Sequence, residues 1–294
     1  MARSSISRIA TTYGLLTLAA AAFLLPLAWM VCVSLKPAPE VMQTHFLPRE
    51  PTLAPYAQII GVPAAAEAAG GKAEDIARGG GFNFLLYARN TLIIVLLGVV
   101  GMSLASAIAA YGFARIDFPG RRILFAVCLA TMMIPFPVLM APTYMVFKYL
   151  GWIGTFKPLW VPAWFGSAFN IFLLRQFFMG IPRDLEESAI IDGATRWGCF
   201  WRIILPLSMP ALAVVALFHT LYVWNDLVGP LIYLSHQDQF TLALGLQFLQ
   251  SRSGDTPWNQ LMAASTLVVL PVLALFLLTQ RTFIRGIATT GLKE

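Results

Sequence analysis

Apolar residues in this chain come in long runs, not in the alternation of a half-buried strand. Six runs, roughly 12–35, 86–113, 121–145, 158–180, 209–234 and 259–280, reach or exceed twenty residues. A helix needs about 20 apolar residues to cross a bilayer's hydrocarbon core, so the pattern predicts six transmembrane helices. In the third run, "MMIPFPVLM" places Pro135 and Pro137 near the middle, where they should kink or break the helix. Such a break is either a packing kink or backbone that lines a cavity.

One segment departs from the pattern. In "DLEESAIIDGATRWGCFWRIILP", residues 184–206, charges are mixed with apolar residues at helical spacing. Asp184 can cap a helix, with Glu187 three residues later as in a capping box. Gly193 offers a stop. Thr195 can cap a second helix, in which Trp197, Phe200, Trp201 and Ile204 fall at i, i+3, i+4 and i+7. Leu205-Pro206 ends it. A hairpin at the lipid interface would account for the aromatics. It does not account for Glu186, Glu187 and Asp192, which an anionic leaflet repels. A knob that docks into a protein partner fits both halves.

Composition agrees with a membrane protein: 58% of residues are hydrophobic, 12% are charged, and mean hydropathy is +0.73. A soluble domain carries about a quarter charged residues. The net charge of +6 does not imply nucleic acid, because the basic residues sit between apolar runs, with no basic patch interleaved with aromatics. Arg3, Arg8, Arg115, Arg121, Arg122, Arg183, Arg196, Arg202, Arg281, Arg285 and Lys293 all fall on one side of the predicted topology. The two short opposite loops hold only Lys148, Lys157 and Arg252. By the positive-inside rule both termini and the 184–206 segment are expected in the cytoplasm. The first run is too long for a cleaved signal peptide and reads as a retained anchor. The loop after it, 36–85, contains "GVPAAAEAAGGKAEDIARGGG", expected to be a flexible excursion.

Catalytic chemistry finds little support. Cys32, Cys128 and Cys199 form no C-x-x-C pair. His45, His219 and His236 lack metal-site spacing, and His219 is expected to bond a neighbouring helix. Gly71-Lys72 is not a P-loop, so nucleotide energy would have to come from another chain. Within the fifth run, Trp224, Asn225 and Asp226 are the candidate pathway residues: a ring face to stack on a sugar, a donor and acceptor, and a carboxylate that should face protein or water. The same residues could instead hold two helices together.

The stretch "ESAIIDGATRWGCFWRIILP" matches Glu-Ala-Ala, three residues, Gly, nine residues, Ile-x-Leu-Pro. Glu187, Ala189, Gly193, Ile203, Leu205 and Pro206 are in register, with Ser188 in place of the first Ala. This resembles the EAA loop of permease subunits from binding-protein-dependent ABC importers. "YARNTLII", "YGFARIDFPGRRILF", "FLLRQFFMGIP", "WNDLVGPLIYL" and "QRTFIRGIATTGLKE" extend the resemblance over about 86–294 and point to the carbohydrate branch, similar to the second permease of maltose-type importers.

The resemblance implies an all-α membrane protein with six transmembrane helices in the type I ABC importer permease fold. Residues 1–85 would form an anchor helix and long external loop, 86–281 the transmembrane domain, and 282–294 a cytoplasmic tail. Glu187, Ser188, Ala189, Asp192, Gly193, Ile203, Leu205 and Pro206 would couple the chain to an ATPase. Implied partners are a second permease, two ABC ATPase subunits, an external solute-binding protein and a carbohydrate. The chain itself would bind no cofactor; ATP and Mg would be used by the ATPases. Its place would be the inner membrane of a bacterium or archaeon. The rival reading is a secondary transporter driven by an ion gradient, for which Asp226 is the lone embedded acid of interest. An intramembrane enzyme lacks a paired nucleophile and base.

Overall fold

The computed structural model describes residues 2–60, 82–251 and 257–290, with only the backbone at 2–7, 10 and 281–290. The Ala/Gly-rich excursion at 61–81 lies outside the described residues. Among the described residues the chain is helical, without strands. Three helices are long and apolar enough to cross a membrane: Thr11–Ser34 within α1 (Ala2–Ser34), α3 (Phe84–Arg115), and Trp258–Gln280 within α14 (Trp258–Thr290). A short α2 (Ala54–Ile60) precedes α3. Two bent pairs raise the number of spans to at most five, so the described helices do not reach the expected six.

Backbone chemistry explains both the bends and the shortfall. Residues 121–149 fold as α4 (Arg121–Ala130), a 3-10 turn, and α5 (Phe136–Tyr149), bent by 101°. The break falls at Ile134, extended at φ −80 and ψ 114. A residue before proline is pushed out of the helical region, and Ile134 precedes Pro135. Pro137 sits in the first turn of α5, where its missing N–H costs nothing.

The expected fourth span, 158–180, is not one helix. It becomes α6 (Lys157–Trp160), a 3-10 segment Val161–Phe165, a break at Gly166 (φ +74), and α7 (Ala168–Met179). Twelve residues of α7 rise only about 18 Å. The fifth run likewise divides into α11 (Met209–Trp224) and α12 (Val228–Tyr233), and α13 (Leu242–Gln250) follows.

Two compact units make up the chain: Met1–Leu85 with Gly245–Leu273, and Leu86–Leu244 with Ala274–Glu294. In the first, Ile59, Leu249, Leu261, Ala263 and Ala264 form the core. Fully buried Lys36 donates from Nζ to the His45 carbonyl at 2.5 Å and lies 5.3 Å from the Trp29 ring. Beside it, the buried Glu40 accepts at Oε1 from the Arg49 backbone N–H (2.7 Å) and meets His45 Nε2 at 2.7 Å. The Arg49 N–H, and after it His45, hold this carboxyl below the usual range, against the opposing push of desolvation.

The second unit is built on α3. Its inward stripe, including Tyr87, Asn90, Thr91, Ile94, Gly98 and Met102, recurs every three or four residues, while Leu92, Leu96 and Val100 stay exposed. Lipid gives no drive to bury leucine, so helices in a membrane meet through small residues. A Cβ at Gly101 would collide with the Trp164 ring, and Trp164 Nε1 donates to the Leu97 carbonyl at 3.1 Å. "YARNTLII" also gains a reason. Asn90 Nδ2 donates to the Asp238 and Phe240 carbonyls at 2.8 and 3.0 Å, and Thr91 Oγ1 accepts from Leu242 N at 2.9 Å, pinning the turn ahead of α13.

Candidate functional site

The 184–206 segment folds as two short helices, as its pattern predicts, with corrected details. Helix α8 (Asp184–Ile191) starts after Arg183, so Asp184 lies in its first turn and the expected capping box does not form. Asp184, Glu186 and Glu187 there still favour the positive end of the helix. At the other end Gly193 takes φ +89. Gly193 N donates to the Ile190 carbonyl at 3.0 Å and Ala194 N to the Ala189 carbonyl at 2.8 Å. That pairing is the Schellman closure, in which the residue after the cap takes a left-handed conformation. Only glycine adopts it without a side-chain penalty.

Thr195 then caps α9 (Arg196–Cys199), its Oγ1 accepting from Gly198 N at 3.1 Å. The expected second helix is not uniform. It widens to a π-helical turn over Phe200–Ile204, closes with α10 (Leu205–Leu207), and bends by 75° at Ser208 into α11. Pro206 occupies the first turn of α10, consistent with its missing N–H.

Two faces result. Outward stand Glu187, Ser188, Asp192, Gly193 and Pro206, together with apolar Ile190, Ile191 (85% exposed) and Trp197 (53%). Ala189, Ile203 and Leu205 are half-buried between the faces. Inward, Cys199, Phe200 and Ile204 are fully buried, Phe200 stacking on Trp197 at 5.3 Å and lying 5.1 Å from Tyr111.

The inward anchor is Glu186, which sequence reasoning passed over in favour of Glu187. Its Oε1 accepts from Tyr111 Oη at 2.9 Å. Arg115 Nε lies 3.0 Å from Oε2, off the N–H axis, a charge contact more than a hydrogen bond. Arg115 also donates to the Phe178 and Ile181 carbonyls, both at 2.6 Å, and Tyr111 Oη makes a second contact with the Arg196 carbonyl at 3.0 Å. The signal for Tyr111 and Arg115 was their spacing of four at the end of α3, which puts them on one face. Nothing local says which of three neighbouring acids turns inward to meet them.

The candidate pathway residues separate. A cavity of about 630 Å³ lies in this second unit, its walls carrying Phe136, Phe147, Phe169, Tyr222 and Tyr233. Met102, Ser167, Asn170, His219 and Asp226 add to its lining. Asp226 Oδ1 accepts from Gly229 N at 3.1 Å, and a Cβ at Gly229 would sit 2.5 Å from Oδ2, so glycine lets the carboxylate fold back over the chain. Asn225 is exposed and its amide returns to the Leu221 carbonyl at 2.7 Å. Trp224 is buried. Neither Trp224 nor Asn225 lines this cavity. His219 makes a different contact from the one expected: its buried Nε2 has no hydrogen-bond partner among the described residues and packs against Gly98 of α3, 2.5 Å from where a Cβ would stand.

Known proteins resemble this chain over most of its length. The chain is 36% identical over 204 residues to the arabinooligosaccharides transport system permease protein of Halalkalibacterium halodurans, covering 69% of this chain and 72% of that protein. It is 29% identical over 272 residues to the trehalose/maltose transport system permease protein of Thermococcus litoralis, covering 92% and 91%. A crystal structure of a bacterial ABC transporter that imports the acidic polysaccharide alginate has a chain matching this one at TM-score 0.80 and 21% identity, covering 95% and 97%. That likeness establishes the fold, the all-α type I importer permease. Residues 99–289 match the family described as binding-protein-dependent transport system inner membrane component. The chain belongs to that family, as an integral inner-membrane permease of a binding-protein-dependent transporter.

Proposed function

We propose that this chain is one of two permeases in an ATP-driven importer for a sugar or sugar-like solute, delivered by an external binding protein. The observation that carries the reading is the 184–206 knob, with an exposed apolar tip at Ile190, Ile191 and Trp197 set on a buried ionic anchor. An apolar tip ringed by Glu187 and Asp192 suits a cleft in a soluble protein. In this reading the cleft belongs to a cytoplasmic ATPase, so the knob and both termini lie in the cytoplasm. Glu187, Ser188, Ala189, Asp192, Gly193, Ile203, Leu205 and Pro206 shape or support the contact.

ATP and Mg are bound by two ATPase subunits. Their closure pushes on the knobs of this chain and of a second, different permease, and opens the pathway toward the binding protein. The relatives' sugars favour a carbohydrate cargo, and the aromatic walls of the 630 Å³ cavity suit the flat C–H faces of sugar rings. Asp226, in the lining of that cavity, belongs to the pathway, with Asn225 and Trp224 as its neighbours in sequence. An ion-gradient transporter is disfavoured by membership of a binding-protein-dependent family.

Stepwise reconstitution into liposomes tests the proposal. The chain alone, or with the ATPase alone, should move no solute. Hydrolysis stimulated by the loaded binding protein should appear only with both permeases and the ATPases present. Solute flux through this chain alone would overturn the subunit reading and restore the ion-driven one.

A further inference from the structure

Tyr111, Arg115 and Glu186 meet where three elements converge. Helix α3 lines the cavity at Met102 and presents Tyr111 nine residues later, about 13 Å along the helix. Helix α7 lines it at Phe169 and Asn170 and ends at Met179, where the Phe178 carbonyl takes Arg115. Helix α8 contributes Glu186. One guanidinium therefore holds two cavity-lining helices and the knob. The Tyr111 hydroxyl adds the start of α9 through the Arg196 carbonyl.

We propose that this cluster is the positioning link through which movement of the knob reaches the cavity. The inference rests on the docking reading of residues 184–206.

Three physical features make the link stiff. Glu186 is 8% exposed, so its ion pair with Arg115 is little screened by water. Separating the pair would strand a buried charge, which makes joint movement of the two helices the cheaper response. Arg115 also donates to the Phe178 carbonyl in the last turn of α7 and to the Ile181 carbonyl just beyond it, and a cation is favoured at that negative helix end. Its planar fork reaches several acceptors at once, which a lysine ammonium cannot reproduce. Phe200 packs on Tyr111 from the knob side, closing the cluster to solvent. An anchor serving stability alone could join any neighbouring helices. This one joins the docking helix to two walls of the cavity.

The test uses the assembled importer, with both permeases, ATPases and binding protein, and reads solute imported per ATP hydrolysed. Tyr111→Phe keeps the ring on Phe200 and removes one hydroxyl with two partners. The ratio should fall about fivefold, the low end of coupling between distant sites. Glu186→Gln keeps an acceptor for Tyr111 but unpairs Arg115, and should lower the ratio at least as far. An unchanged ratio, a proportional fall in both rates, or failure of Tyr111→Phe to assemble would overturn the link. Gly193→Val in the same assay separates this from the reading beneath it. If Gly193→Val abolishes uptake while Tyr111→Phe leaves the ratio intact, only the link fails. If Gly193→Val changes neither uptake nor ATPase co-purification, the docking reading itself fails.

Discussion

Two buried carboxylates in this chain do opposite jobs. Glu40 is served from its own neighbourhood, by His45 and the Arg49 backbone N–H, five and nine residues away. Glu186 is served across the fold, by Tyr111 at a separation of 75 residues and by Arg115. Glu40 therefore shapes one loop, and losing it should be felt there. Glu186 ties elements that the chain brings together only on folding, and its loss should spread. The contrast shows that burial of an acid does not indicate its role. The sequence distance to its partners does.

Removing the long-range anchor should have the largest effect. Glu186→Ala leaves the Arg115 guanidinium unpaired, a loss of about 3–5 kcal/mol for a broken buried pair. Thermal unfolding in detergent should show a marked fall in Tm and a poor yield of inserted protein. A variant as stable as the parent would erase the distinction between the two acids.

Next comes the knob's own backbone. Gly193→Val forces a β-branched residue to φ +89, at about 1–3 kcal/mol of strain, and should misplace Ile190 and Ile191. ATPase co-purification and uptake should both fall, while insertion persists. A smaller effect should follow Thr195→Ala, which deletes a cap worth about 1 kcal/mol. Because that bond is local, reaching only Gly198, hydrolysis per solute imported should stay near the parent value.

The smallest effect belongs to Glu40, and it should appear as a pH dependence. Its carboxyl sits below the usual carboxylate range, chiefly through the Arg49 N–H. Its stabilisation is therefore complete above an ordinary Glu value of about 4.3 and is lost as pH falls through the lowered native value. The Arg49 amide resonance should move over that acid window in the parent and stay flat in Glu40→Gln. A shift of equal size in the variant would deny the local account.

Much of the knob was legible because its determinants are local. The Gly193 stop and Thr195 cap depend on backbone conformations a few residues long, and both stand where spacing put them. The bend at Pro135 was legible for the same reason: the restriction acts on the preceding residue. The expected fourth span is not one continuous helix because hydropathy measures composition, while Pro162 and Gly166 decide whether an apolar run stays one helix. For Trp224, Asn225 and Asp226, adjacency in sequence suggested a joint site. The end of α11 instead turns them apart, one buried, one exposed and one into the cavity lining.

By itself, then, the sequence determined a helical membrane chain with a two-helix knob of fixed register, since hydropathy, glycine conformation and caps act over short distances. Tertiary structure alone decided that Glu186 faces Tyr111 and Arg115 while Glu187 faces outward, which helices line the cavity, and that Gly101 must admit the Trp164 ring. These depend on where distant helices lie. Three neighbouring acids look alike until a guanidinium 71 residues away, 186 against 115, makes burial tolerable for one of them.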